Sequence, residues 1–93
     1  MSVIVQIPPP LRTLTGGLDK VQAVGGTVSE VISHLDSIYP GMADRIFQGG
    51  NGLNRFVSIF VNNEDIRLLA GDQTTVEDGD VVAILPLIAG GRR

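Results

Sequence analysis

The chain contains no cysteine, no tryptophan and a single histidine, His34. The lack of cysteine excludes disulfides, a thiolate nucleophile and a cysteine-ligated zinc site. His34 falls beside the apolar stripe of a predicted helix rather than on it, so we expect an exposed side chain without a catalytic or metal-binding role. Thiol and imidazole chemistry are therefore not expected of this chain.

Basic residues are also few, with seven Lys and Arg against ten Asp and Glu and a formal net charge of -3. This balance argues against non-specific nucleic-acid binding, which depends on Lys and Arg neutralising phosphates, and it favours a basic protein partner. The acidic group Glu77, Asp78 and Asp80 is interpreted as solvated turn residues, because the spacing of a calcium-binding EF-hand loop is absent. No metal site is predicted.

Long apolar runs are missing as well. The opening VIVQI is interrupted by Gln6 and followed by Pro8 to Pro10, far short of the roughly 20 residues that a membrane span needs. A basic leader region is also missing, so no signal peptide is predicted. We therefore expect a cytoplasmic protein with no membrane partner.

The length of 93 residues leaves room for one domain with one core. A domain of this size buries only roughly 60 to 65% of the surface that its unfolded chain exposes. A deep, enclosed active site is difficult to build on so small a core. The size therefore favours a binding or carrier role over a free-standing enzyme.

The first half of the chain predicts two strands and a helix. Val3, Val5 and Ile7 alternate with their neighbours as in a half-buried strand, and Lys20 to Val24 is a second short strand that can form a hairpin with the first. Thr27 and Glu30 have the spacing of a helix-capping box. The apolar residues that follow recur at helical spacing up to Pro40; they are Val28, Val31, Ile32, Leu35 and Ile38.

The second half predicts more strands, after a possible short helical turn over residues 42 to 47 and a glycine-rich loop. RFVSIFVN, residues 55 to 62, has the alternation of a strand. Asn62 and Asn63 suit a tight turn, from which Asp65 to Leu68 can return as a short strand. A further turn at Asp78 and Gly79 leads to VVAIL, a buried strand near the end of the chain.

This order of elements predicts an α+β fold: a mixed sheet of about five strands, capped on one face by one main helix. If the last strand lies beside the first, the crossover through the helix makes the two parallel. That arrangement is the ubiquitin-like β-grasp. The predicted domain covers residues 1–86, and residues 87–93 form a flexible tail.

Three stretches resemble the sulfur-carrier branch of the β-grasp proteins: VNNED at residues 61–65, VEDGDVVAILP at 76–86 and IAGG at 88–91. This branch includes the molybdopterin synthase small subunit, the thiamine sulfur carrier and the carrier that delivers sulfide for cysteine biosynthesis. IPPPLR near the start and RFVSIFVNNEDIR are most similar to the last of these. The resemblance covers essentially the whole chain.

The resemblance implies that the chemistry takes place at the carboxylate of Gly91. An ATP-dependent enzyme resembling ubiquitin E1 would adenylate it, and sulfide would then displace AMP to leave a thiocarboxylate. That sulfur could attack an acceptor such as an aminoacrylate held on pyridoxal phosphate in a cysteine synthase. Gly90 and Gly91 lack Cβ, so the tail can enter a narrow channel and present an unhindered acyl carbon.

The chain departs from the family pattern in its last two residues, Arg92 and Arg93, which follow the second glycine. Either a peptidase removes them, as a JAMM-type zinc metalloprotease does for some related carriers, or they are an artefact of expression. Partner contacts are assigned to the tail and to two aromatic residues on the sheet face away from the helix. These residues are Phe56, Phe60, Leu87, Ile88 and Ala89.

The sequence leaves two other functions open. The same activation could serve a ubiquitin-like modifier that is joined through Gly91 to a target lysine. Alternatively, the domain could be a non-covalent interaction module, in which case replacing Gly91 by alanine would leave its function intact. The acceptor of the sulfur, whether a pterin, a thiazole precursor or a serine-derived intermediate, is also left open.

Overall fold

A computed structural model describes residues 2–47 and 57–86 of the chain. Five strands form one mixed sheet in the order β2-β1-β5-β3-β4, which confirms the predicted fold. The central strand β5 runs parallel to β1 on one side and antiparallel to β3 on the other. The strands are β1 Ser2–Gln6, β2 Lys20–Val24, β3 Val57–Val61, β4 Glu64–Asp65 and β5 Val81–Pro86.

The main helix α1, Val28–Ile38, packs on one face of this sheet, and the short helix α2, Met42–Ile46, follows it. The predicted capping box is present, because the Thr27 side chain accepts a hydrogen bond from the Glu30 amide at 3.2 Å. The Glu30 carboxylate reaches back to the amide of Gly26, at 2.7 Å, one residue before the cap. The first bond satisfies an amide that a helix start would otherwise leave without a partner, and the second ties the residue before the cap to the first turn.

The core lies between α1 and the inward faces of the strands. Val3, Val5 and Ile7 are buried as their alternation predicts. Four of the five residues of the helical stripe are also buried, but Ile38 is 46% exposed. It is the last residue of α1, and Tyr39 packs against the core just beyond it.

One detail of the strand predictions is wrong. The return strand after the Asn62–Asn63 turn ends at Asp65, and Ile66–Leu68 form a 3-10 turn instead. The Asp65 side chain accepts a hydrogen bond from the Arg67 amide, which starts that turn and carries Ile66 into the core. The bounds of β2 are as predicted, and its buried residues are Val21 and Ala23 while Val24 is exposed.

The Asn62–Asn63 turn itself is confirmed, since both residues have positive φ angles of 50° and 75°. Asparagine tolerates this region better than most residues. No helix within residues 2–47 and 57–86 is long and apolar enough to cross a membrane.

Candidate functional site

The C-terminal tail follows directly from the central strand. Pro86 is the last residue of β5 and lies opposite Val57 of β3. The chain therefore leaves the sheet at the end of its central strand, between β1 and β3. Most of the predicted site lies outside the described residues: Phe56, Leu87, Ile88, Ala89, Gly90, Gly91, Arg92 and Arg93.

Phe60 is the one predicted partner-binding residue that the structure describes. It lies on β3 opposite Ala83 of β5 and Asp65 of β4. It is half-buried and lies on the sheet face away from α1, since Ile59 and Val61 on either side of it belong to the core. Ile4 and Leu85 lie on this open face too, 38% and 43% exposed.

The Arg67 side chain makes its contacts at the end of the open face that is nearest the tail. Its guanidinium donates to both carboxylate oxygens of Asp65, at 3.2 and 2.8 Å, and to the Ser58 hydroxyl at 2.8 Å. Ser58 is buried and lies opposite Leu85. The side-chain and backbone hydrogen bonds from Arg67 lower the pKa of Asp65, and the carboxylate raises the pKa of Arg67 in return. Strand periodicity carries no signal for these contacts of Arg67.

A groove lies beside the end of β5, on the side of β1. Its apolar surface includes Pro8, Ile84 and Leu85, and charged side chains line it at Arg12, Lys20 and Asp19. We call it the basic groove. Its volume is about 200 Å³, which is smaller than the roughly 300 Å³ at which pockets for small-molecule ligands begin.

The acidic group Glu77, Asp78 and Asp80 precedes β5, at the end of the sheet opposite the tail, and connects neighbouring segments through hydrogen bonds. Asp80 accepts hydrogen bonds from the Asn62 side-chain amide at 3.0 Å and from the Glu77 backbone amide at 2.8 Å. These bonds lower the pKa of Asp80. Asp78 accepts from the amide of Ser2 at 2.9 Å. Across the described ranges, no three His, Cys, Asp or Glu side chains lie close enough together to hold a metal ion.

His34 has a structural contact that the helical pattern did not indicate. Its Nδ1 accepts a hydrogen bond from the backbone amide of Val24 at 3.0 Å. The side chain is half-buried and ties α1 to the last residue of β2. The prediction of an exposed histidine is wrong for this reason, because a contact between elements leaves no trace in helical periodicity.

Comparison with known proteins shows what this fold and tail are similar to. The profile of the ThiS family matches residues 5–91. The sulfur carrier protein CysO of Mycobacterium tuberculosis is 46% identical in an alignment of 93 positions that covers 98% of this chain and 100% of that protein. A chain in the crystal structure of the Amycolatopsis orientalis BexX/CysO complex is 44% identical, with a TM-score of 0.90 over 96% of this chain and 99% of that chain.

The small archaeal modifier protein 1 of Methanosarcina acetivorans is also similar in structure, with 30% identity and a TM-score of 0.83 over 97% of this chain and 96% of that chain. These matches confirm the β-grasp arrangement. The family profile covers nearly the whole chain, and a sulfur carrier that is matched over its whole length is 46% identical to it. The chain therefore belongs to the ThiS family of ubiquitin-like sulfur carriers.

Proposed function

We propose that this sulfur carrier holds sulfur as a thiocarboxylate on Gly91, after Arg92 and Arg93 have been removed. The observation that carries the proposal is the family match, which ends at Gly91 and leaves the two arginines outside it. A processed chain would end on the glycine carboxylate. The full-length chain has that carbonyl locked in a peptide bond, so processing must come first.

The position of β5 supports a reactive group at the end of the tail. Gly91 lies five residues beyond Pro86, so an extended tail can place it up to about 17 Å from the end of the sheet. Pro86 lacks an N–H group and cannot continue a strand ladder as a donor. The glycine carboxylate can thus enter a partner's active site while the folded domain stays outside.

The chemistry proceeds in two steps that a partner enzyme catalyses. The Gly91 carboxylate attacks the α-phosphate of ATP, which gives an acyl-adenylate and releases pyrophosphate. Hydrogen sulfide then attacks the acyl carbon: the new C–S bond forms, the bond to AMP breaks with AMP as the leaving group, and the S–H proton passes to solvent. If an enzyme persulfide is the donor instead, a second thiol must cleave the S–S bond of the acyl disulfide and form a disulfide with the donor cysteine. The thiocarboxylate sulfur is a far better nucleophile than the oxygen that it replaces. The chain itself is a co-substrate and not a catalyst.

The partners in this scheme are an E1-like adenylating enzyme and a JAMM-type zinc metalloprotease that trims the tail. The acceptor enzyme is a cysteine synthase with pyridoxal phosphate, all three acting in the cytoplasm. The 46% identity to CysO supports the acceptor. The A. orientalis BexX/CysO complex supports the wider expectation that such carriers dock on a partner protein. Phe60 and the open face are proposed as part of that docking surface.

The test is the intact mass of the protein isolated from its own host under sulfur demand. We expect a chain that lacks both arginines, with a fraction in which one oxygen is replaced by sulfur. A Gly91→Ala variant expressed in the same host is the matched control and should carry no sulfur. An untrimmed and unmodified chain would contradict the proposal, and lysine adducts without sulfur would favour the protein modifier instead.

A second measurement tests the order of the steps. The chain that ends at Gly91 should support ATP–pyrophosphate exchange by the adenylating enzyme, whereas the full-length chain should be inert. Adenylation of the untrimmed chain at its own terminus would show that removal of the arginines is not required.

A further inference from the structure

The charged side chains of this acidic protein are distributed unevenly along the sheet. Glu77, Asp78 and Asp80 lie at the start of β5. The cations Lys20 and Arg12 lie at the opposite end, in the basic groove next to Leu85. A strand of six residues separates the two ends by roughly 20 Å, about twice the Debye length at physiological salt. A partner that approaches the tail therefore meets positive charge, although the whole chain is negative.

The walls of the basic groove are held in place by hydrogen bonds within the domain. Ile7 donates its amide to the Asp19 carbonyl at 2.8 Å, and the Arg12 side chain donates from Nε to the Ile7 carbonyl at 3.0 Å. Leu11 donates to the Pro8 carbonyl at 2.9 Å, which closes the 3-10 turn beside the groove. A preformed groove costs little conformational entropy when it binds a partner.

The size and position of the groove exclude the reacting nucleotide as its ligand. A volume of about 200 Å³ suits a single side chain rather than an adenylate. An extended tail also carries the Gly91 carbonyl up to about 17 Å away from the end of the sheet. With the tail extended in this way, the groove would lie against the body of the partner protein and not at its catalytic centre.

The lining of the groove identifies the chemistry of its occupant. Ile84, Leu85 and Pro8 can cover the methylene groups of a side chain, while Arg12 and Lys20 present positive charge to its end. Asp19 offsets one of these two charges and leaves the groove with one net positive charge. We propose that the basic groove receives an acidic side chain, glutamate or aspartate, from the surface of the adenylating enzyme. This inference rests on the proposed function.

The test compares two charge reversals in the trimmed chain. Lys20→Glu changes an exposed residue of the groove, whereas Arg45→Glu makes the same change of net charge on α2, away from the groove. The measurement is ATP–pyrophosphate exchange by the E1-like enzyme of the same organism. We expect Lys20→Glu to raise KM for the carrier about three- to tenfold with kcat within a factor of two, because partner charges act on encounter and docking. Arg45→Glu should leave both constants unchanged.

A second variant and the dependence of KM on salt distinguish an effect of the lost charge from an effect on folding. Lys20→Met keeps the length of the side chain without its charge and should raise KM about two- to threefold while the thermal unfolding midpoint stays that of the parent chain. The KM of the parent chain should rise with salt more steeply than that of Lys20→Glu, because salt screens the attraction.

The outcomes distinguish this inference from the proposed function. If the parent chain is adenylated and the variants at Lys20 and Arg45 behave alike, the groove proposal is wrong while the carrier function stands. A fall in kcat at constant KM would also overturn it. If the trimmed parent chain is not adenylated at all, both proposals fail.

Discussion

At the scale of single residues, Asp80 joins three parts of the sheet. Its carboxylate holds the Asn62 side chain and the Glu77 amide, and its carbonyl accepts from the Ile4 amide at 2.9 Å. Asn62 in turn accepts from the amide of Val81 at 3.0 Å. The carboxylate therefore connects the β3–β4 turn with the turn before β5, and the backbone carbonyl of the same residue adds the bond to β1.

This carboxylate makes the stability depend on pH in a defined direction. Its pKa lies below the ordinary value of 3.8, so the folded state favours the ionised form. The resulting stabilisation is complete above the unfolded value of 3.8 and is lost as the pH falls through the lower folded value. We expect Asp80→Asn to lower the urea midpoint at pH 7, and the difference from the parent chain to shrink as the pH is lowered below about 4.

The control for Asp80→Asn is Glu77→Gln. It removes one negative charge from the same turn, but the Glu77 side chain is exposed. Only its backbone amide takes part in the bond to Asp80. If Glu77→Gln lowers the urea midpoint as much as Asp80→Asn does, the change in local charge would explain the result. The hydrogen bonds of Asp80 would then not be its cause.

At the scale of elements, the close approach of α1 to the end of β2 depends on Gly25. A Cβ built on Gly25 would lie 2.7 Å from the Val31 amide nitrogen and 2.9 Å from the Glu30 carbonyl carbon. Both atoms belong to the backbone of α1 and cannot move without shifting the helix. A Cβ on the neighbouring Gly26 would meet only the tip of the Glu30 side chain, at 3.3 Å.

We therefore expect Gly25→Ala to lower the free energy of unfolding by about 2 kcal/mol or more, because the overpacked helix must move. The matched variant Gly26→Ala should cost less than about 1 kcal/mol, because a flexible side chain can turn away. Urea unfolding followed by circular dichroism measures both. Equal effects of the two substitutions would show that α1 is not held as closely as the structure indicates.

At the scale of the whole molecule, the proposed reactive end follows the described core in the chain. Among residues 2–47 and 57–86, the buried hydrophobic cluster extends from Val3 to Ile84, and Gly91 comes seven residues later. We therefore expect that the last residues can be trimmed or loaded with sulfur without disturbing this part of the core.

Removal of Arg92 and Arg93 should accordingly leave the thermal unfolding midpoint within about 2 °C of the value for the chain 1–93, since the described core ends at Ile84. Differential scanning calorimetry of the chains 1–93 and 1–91 measures this. A truncation to residue 83 is the control, because it removes the core residue Ile84, and it should lower the midpoint strongly. A large loss of stability in chain 1–91 would mean that the tail supports the fold.

Local patterns predict most elements of this fold correctly. Strand alternation locates β1, β3 and β5, and the Thr27 and Glu30 pair marks the start of α1. The prediction fails where packing of the core overrides the pattern of a short segment. Ile66 is such a residue, since it lies in a 3-10 turn instead of a strand and is buried in the core. It fails also at His34, whose partner Val24 lies on another element.

The sequence by itself determined the identities and order of the elements and the diglycine at residues 90 and 91, because periodicity, caps and motifs are local properties of the chain. Only the tertiary structure decided which distant residues meet. In the folded chain the Arg67 guanidinium donates a hydrogen bond to the Ser58 hydroxyl, and Arg12 and Lys20 lie beside the end of β5. These neighbours arise from the pairing of β5 with both β1 and β3, and pairing between distant strands depends on the packing of the whole core rather than on any one segment.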